Sequence, residues 1–250
     1  MKSVIAYVVL FFSSFFIIPY HWYIQKLSKT KPEEAWERAY KLIHWFFKCE
    51  LKLVGCKMTV LGQENIPKDQ ACLFVGNHRS FFDILISHNT TGKPAGFISK
   101  DSMKKVHLLR LYMRDMGSLF LERDNIRQGL EIINKGAEYL KMGHSMILFP
   151  EGHRNQTDNL LPFREGGYKM AEKSGCPIVP FTITGSEMLK ESAPGKRISK
   201  ASVVIEYGQP IYPNEYQGKA RKEKYKEIPD MILAMRASHK HILMQNQEDK

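Results

Sequence analysis

A histidine and a carboxylate stand five residues apart in Asn77-His78-Arg79-Ser80-Phe81-Phe82-Asp83, directly after the apolar run Ala71–Val75 and Gly76. A polar turn after an apolar strand is a usual place for chemistry in α/β proteins. If the chain bends back across this turn, the carboxylate meets one imidazole nitrogen, fixes the tautomer and leaves the other nitrogen as a general base. A local reading needs no chemistry: Ser80, with Asp83 three residues on, has the pattern of a capping box at a helix start, which leaves His78 an ordinary loop histidine. The two are compatible, because a cap at Ser80 also fixes how His78 and Asp83 face one another. Ser80 is the one candidate covalent nucleophile here, and capping accounts for it.

Three other segments place polar groups beside apolar runs. Gly117-Ser118-Leu119-Phe120-Leu121-Glu122-Arg123 ends on an arginine that can meet a phosphate bidentately. Phe149-Pro150-Glu151-Gly152-His153-Arg154 ends another apolar run, and Val179-Pro180-Phe181 opens a third. Singly, Arg123 and Arg154 read as solvated or salt-bridged surface residues. In this order and at these intervals the four segments resemble the glycerolipid acyltransferase family, and within it the 1-acyl-glycerol-3-phosphate acyltransferases. The resemblance runs from about Gly62 to Ile183: NHxSxxD is Asn77 to Asp83, GxxFxxR is Gly117 to Arg123, FPEGxR is Phe149 to Arg154, and the Val-Pro pair is Val179-Pro180. Glu64-Asn65-Ile66-Pro67 and Phe163-Arg164-Glu165-Gly166 also match. The departures are His153 where the family usually has Thr, Phe181 where a small aliphatic is common, and Ser102-Met103 where Glu-Leu often follows the lysine corresponding to Lys100.

The resemblance implies transfer of a fatty acyl group from acyl-CoA or acyl carrier protein to the sn-2 hydroxyl of lysophosphatidic acid, giving phosphatidic acid. It implies His78 as base and Asp83 as its orienter. It also implies a phosphate site built from Gly117, Arg123, Gly152 and Arg154, with Glu151 holding Arg123 or Arg154. Lys100, or a backbone amide near Asn77, is the candidate donor to the tetrahedral oxyanion. No cofactor or metal is required. Other acceptors within the family, a thioesterase and a non-enzymatic membrane-binding protein are the rival readings.

The elements that must hold these groups are legible as alternating β-rich and helical runs after Gly55, which predict one mostly parallel mixed sheet flanked by helices. Strands are expected at Met58–Leu61, Ala71–Val75, Ala95–Ser99, Ser118–Leu121, Met146–Phe149, Ile178–Ile183 and Ser202–Tyr207. Helices are expected at Phe81–His88, Ser102–Met116, Ile126–Met142 and Arg164–Lys173, with Lys219–Gln247 broken near Pro229. Residues 56–250 thus form the expected catalytic domain.

Residues 1–55 have a different texture. Val4–Ile18 is uncharged over about fifteen residues, short of the roughly twenty that span a bilayer upright, and no small-x-small cleavage site follows it. Tyr20, Trp22 and Tyr23, then Lys26, Lys29 and Lys31, have the order of an interfacial anchor. In Glu33–Val54 the residues Trp36, Tyr40, Ile43, Phe47, Leu51 and Val54 recur at helical spacing, opposite Lys41, Lys48 and Lys52. That pattern predicts an amphipathic helix; such helices more often pack against their own protein's core, but the aromatic weight, basic partners and adjacent anchor favour the membrane interface here. The whole chain of 250 residues carries 37 Lys and Arg against 26 Asp and Glu, a net charge of +11. Such a charge suits an anionic bilayer and phosphorylated substrates, whereas no nucleic-acid recognition motif is present. Four cysteines without CxxC spacing argue against a disulfide scaffold or zinc site, so a reducing, cytoplasmic membrane face is expected.

Overall fold

The computed structural model of the protein describes residues 18–122, 125–157 and 159–248. Seven strands form one sheet: β1 (Cys56–Leu61), β2 (Leu73–Gly76), β3 (Ala95–Lys100), β4 (Leu119–Leu121), β5 (Ser145–Leu148), β6 (Ile178–Thr184) and β7 (Ala201–Tyr207). Their spatial order is β1-β7-β6-β2-β5-β3-β4. Every pairing is parallel except β6 with β7. The central strands read as unbroken apolar runs because both faces are covered, as parallel sheets require. On β2, Phe74 points to one core and Leu73 and Val75 to the other.

Residues 18–27 form α1, and Pro32–Val54 form α2. With α3 (Phe82–Thr90) and α4 (His107–Asp115) they cover the Phe74 face. The opposite face is covered by α5 (Ile126–Lys141), α6 (Lys169–Ser174) and α8 (Ile228–Glu248), joined by α7 (Gly218–Lys226). All seven expected strands are present, and Pro229 sits in the first turn of α8, where its missing N–H costs nothing. The expected helix Ser102–Met116 is instead a 3-10 turn at Asp101–Lys105 followed by α4, with Val106 extended between them (φ −87°, ψ 100°). Arg164–Lys173 likewise opens as a 3-10 turn at Glu165–Tyr168, where Gly166 and Gly167 weaken helix formation.

The expectation for α2 needs correcting. Trp36, Ile43, Phe47, Leu51 and Val54 do not face outward: they are buried in the protein's own core, Phe47 against His88 and Tyr112. Apolar periodicity records that a face is covered and does not record by what. The large apolar side chains that α1 and α2 expose are Ile18, Trp22, Tyr23, Trp45 and Leu53. Val4–Ile17 of the expected anchor lies outside the described residues, and among those residues no helix is long and apolar enough to cross a membrane.

Packing α2 onto the sheet buries two imidazoles. Burial lowers the pKa of His88 to about 3 and that of His144 to about 4. Both folded values lie below the unfolded one, so the stability these groups contribute is complete above about pH 6.5. It declines as pH falls toward about 4, by about 1.4 kcal/mol per unit for each histidine. Burial pushes Glu50 up to about 7, which opposes one of the two over that window. Thermal melts should therefore show a lower midpoint at pH 5 than at pH 7, and a smaller drop in His144→Gln. A midpoint unchanged from pH 7 to pH 5 would contradict this.

Candidate active site

The carboxyl ends of β2, β3, β4 and β5 share one edge of the sheet, and candidate residues stand there: His78 after β2, Lys100 at the end of β3 and Glu151 after β5. Gly76 ends β2 because a Cβ there would stand 2.5 Å from the Phe181 ring. The Phe181 departure from the family pattern is thus absorbed by packing beneath the turn. Asn77 then extends the strand with its side chain. Its amide donates to the Ile183 carbonyl (2.9 Å) and accepts from the Ile183 N–H (2.8 Å), tying the turn to β6.

The bend expected of the His-Asp pair is present. Asp83 Oδ2 lies 2.8 Å from His78 Nδ1, and it also accepts the N–H groups of Arg79 (2.6 Å) and Ser80 (2.8 Å). Ser80 Oγ accepts from Phe82 N at 3.1 Å, which completes the capping box. Two backbone N–H groups already make this oxygen an acceptor, so His78 Nδ1 meets it as the N–H donor and the Nε2 lone pair is left to act as base. The ring stacks on Phe149, centroids 4.3 Å apart and planes 14° from parallel, so its orientation is set on two sides.

Three further carboxylates clamp this turn. Buried Glu151 accepts from His78 N (2.9 Å) through Oε1, and from Asn155 Nδ2 (2.9 Å) and Leu161 N (3.0 Å) through Oε2. The His78 carbonyl in turn accepts from Asn155 N at 2.7 Å. Glu151 therefore holds the His78 turn by its backbone, and Arg154 pairs instead with Glu191 at 3.0 Å. Glu191 also receives Ser80 Oγ (2.6 Å) and Phe81 N (2.9 Å), while Glu187 pairs with buried Arg79 at 3.0 Å. Sequence reasoning missed Glu187 and Glu191. They sit just beyond β6, and reading the residues after every strand at this edge would have raised them.

A cavity of about 520 Å³ opens beside His78. Its cationic groups are Lys100, Arg154 and Arg164, with Gly152 and His153 in the adjoining turn. Its interior is apolar, with Phe97, Met103, Leu121, Ile132, Ile133 and Met170 among the walls. Gly152 adopts φ 78°, which favours glycine at this turn. Gly117 stands apart from the cavity, at the amino end of β4, where φ is 66° and a Cβ would meet the Trp36 and His144 rings at 2.7 Å. Its place in the pattern is explained by packing. Arg123 lies outside the described residues.

Ser80 does not line the cavity, and its hydroxyl is committed to Glu191. The arrangement offers an oriented base, positive charge and an enclosed apolar wall, a set suited to activating a hydroxyl on an amphiphile that carries an anionic group.

Comparison with known proteins agrees. Residues 57–184 match the family described as Acyltransferase. A probable 1-acyl-sn-glycerol-3-phosphate acyltransferase of Mycoplasma pneumoniae is 33% identical over 72% of this chain and 66% of its own. A 1-acyl-sn-glycerol-3-phosphate acyltransferase of Borreliella burgdorferi is 35% identical over 54% of each. The chain thus spans between about half and two thirds of the length of these curated relatives. The crystal structure of the 1-acyl-sn-glycerophosphate acyltransferase PlsC from Thermotoga maritima superposes with a TM-score of 0.75, covering 96% of this chain and 98% of that one at 24% identity. At that identity the likeness is one of fold.

Proposed function

The chain belongs to the Acyltransferase family, and from that premise we propose that it moves a fatty acyl group from an acyl thioester to the sn-2 hydroxyl of 1-acyl-glycerol-3-phosphate, forming phosphatidic acid. The observation that carries this is the 2.8 Å contact between His78 Nδ1 and Asp83 Oδ2 at the wall of an apolar cavity with three cations.

An alcohol is a poor nucleophile at neutral pH, and an imidazole titrates near neutrality. His78 Nε2 takes the hydroxyl proton as the oxygen attacks the thioester carbonyl, while Asp83 stabilises the imidazolium that forms. Collapse of the tetrahedral intermediate breaks the C–S bond, and the imidazolium returns the proton to the departing thiolate. Each N–H from His78 to Asp83 is already bonded, so of the two expected oxyanion donors Lys100 is preferred. Arg154 and Arg164 suit the acceptor's phosphate, joined by Arg123 on the family pattern. Apolar walls take the acyl chains.

Substrates of this kind reside in membranes. Lifting a sixteen-carbon chain from lipid costs about 12 kcal/mol at ~0.8 per CH₂, so the protein should work at a bilayer surface, on its cytoplasmic face. The exposed Trp22 (72%) and Trp45 (61%), with exposed Lys26, Lys41 and Lys48, support such docking. Replacing both tryptophans by serine should lower co-sedimentation with anionic vesicles severalfold, more so at high salt, and spare turnover of a short-chain soluble acceptor. Unchanged sedimentation would place the membrane contact elsewhere.

The reading is tested by offering purified protein a panel of lysolipids and glycerol 3-phosphate with each thioester donor and identifying products by mass spectrometry. Phosphatidic acid from lysophosphatidic acid is expected. Acylation of another acceptor alone would reassign the headgroup, and fatty acid alone would make the protein a thioesterase.

A further inference from the structure

A second recess lies apart from the one beside His78. A groove of about 780 Å³ runs along the open edge of β4, between α4 and α5, closed at one end by α1 and the start of α2. Four cations line it: Lys104 before α4, Arg110 and Arg114 on α4, and Lys135 on α5. Only two carboxylates face them, Asp115 and Glu131. Asp115 is held elsewhere, its Oδ1 receiving His21 Nδ1 at 2.7 Å and Gln25 Nε2 at 2.8 Å. Glu131 faces Arg127 at 3.8 Å. Lys104 is matched by Asp101, outside the groove. Arg110 contacts the His107 ring at 2.9 Å, and among the described residues neither it, Arg114 nor Lys135 forms an ion pair with a carboxylate. Four cations against two carboxylates, one of them engaged by His21 and Gln25, leave an excess of positive charge that a bound anion would relieve.

The groove adjoins the catalytic cavity. Ile132 lines both, and Lys104 and Gln128 of the groove are chain neighbours of Met103 and Gly129 of the cavity. The cations of the two recesses do not overlap, since Lys100, Arg154 and Arg164 face only the catalytic one. One reaction therefore has two separated anion sites, and the acceptor of the proposed reaction has one phosphate. The second site calls for a donor with several phosphates, borne on an arm long enough to leave its thioester at His78. A carrier protein meets its partner through a broad surface and brings a single phosphate on its arm. A recess takes a small molecule.

Resting on the acyl-transfer reading above, we propose that this groove binds the phosphorylated nucleotide end of coenzyme A, with Arg110, Arg114 and Lys135 pairing its phosphates, so that the donor is an acyl-CoA whose pantetheine arm passes Ile132 to His78. Tyr139, which also lines the groove and carries Lys135 Nζ 5.8 Å from its ring centroid, offers a flat surface to the base.

The test reads binding apart from turnover. Full-length protein in detergent micelles is titrated calorimetrically with coenzyme A, with pantetheine, which lacks the phosphates, and with adenosine 3′,5′-bisphosphate. Coenzyme A should bind, the bisphosphate should compete with it, and pantetheine should bind at least tenfold more weakly. Arg110→Ala with Arg114→Ala should raise the coenzyme A Kd at least tenfold, and raise the KM for acyl-CoA in step. The KM for lysophosphatidic acid and kcat should stay within twofold. Lys141→Ala, an exposed position on the same helix as Lys135 but outside the groove, is the control and should change nothing. The melting temperature of each variant is measured alongside, and Lys135→Ala gives an independent check if the double variant melts early. Equal coenzyme A affinity in wild type and the Arg110, Arg114 and Lys135 variants overturns the proposal, as does transfer from acyl carrier protein by a protein that does not bind coenzyme A. Arginine-dependent coenzyme A binding without transfer from any donor upholds the groove and removes the acyl-transfer reading instead.

Discussion

His78→Ala is expected to lower kcat/KM by about 10²–10⁴, the range general-base catalysis supplies, with little change in melting temperature. The side chain is stacked on one face by Phe149 and reaches a partly open cavity on the other, so its removal takes away few core contacts. Asp83→Asn should reach a similar rate loss by another route. An amide oxygen in the place of Oδ2 can still accept from His78 Nδ1, Arg79 N and Ser80 N, but it carries no charge to stabilise the imidazolium that forms. The NH₂ is left in the buried place of Oδ1, which has no partner, so the turn also loses about 1–3 kcal/mol. Initial rates measured beside thermal melts separate the two variants. A folded His78→Ala protein with near-normal turnover would remove His78 from the mechanism.

Glu151→Gln should damage both fold and rate. Three N–H donors converge on this buried carboxylate, from His78, Leu161 and Asn155. A glutamine presents one oxygen and one NH₂, so at least one buried N–H faces another donor, at a cost of about 1–3 kcal/mol. For a chain of this size that shifts the melting temperature down by roughly 2–10 °C. Because the lost bonds fix the backbone of His78, kcat should fall by about tenfold or more, in keeping with the sensitivity of catalysis to displacements near 1 Å. The alternative role, a carboxylate that aligns an arginine for phosphate, gives a different signature: a raised KM for lysophosphatidic acid with the melting temperature unchanged. Differential scanning fluorimetry and a KM determination on one preparation decide between them.

Why some of this was legible in the sequence and some was not follows from the range of the interactions. Asp83 and Ser80 act within one turn, so spacing alone revealed the capping box and with it the bend that joins Asp83 to His78. The central strands were legible because apolar runs buried on both faces leave a simple pattern. Glu151 was noticed as a residue but assigned to an arginine, because a carboxylate's partners here are backbone amides, which look alike in every sequence. Glu191 reaches Ser80 across 111 positions, and its one mark in the sequence is its place shortly after β6. The apolar face of α2 was read as membrane-facing, yet amphipathicity is the same whether the cover is lipid or, as here, α3 and α4. Gly117 belongs to a recognisable pattern, and packing against Trp36 and His144 rather than proximity to the cavity accounts for it.

The most direct test of the account is whether the acyl group leaves its thioester only when a 2-hydroxyl is present and His78 is there to deprotonate it. Thiol release and lipid products are followed together for wild type and His78→Ala, with lysophosphatidic acid, with its 2-deoxy analogue and with no acceptor. Wild type should release thiol and phosphatidic acid in equal amounts with lysophosphatidic acid, and almost none otherwise, while His78→Ala stays near background throughout. Thiol release by wild type at the same rate with the 2-deoxy analogue or with no acceptor, accompanied by free fatty acid, would contradict the proposal that His78 serves a hydroxyl acceptor.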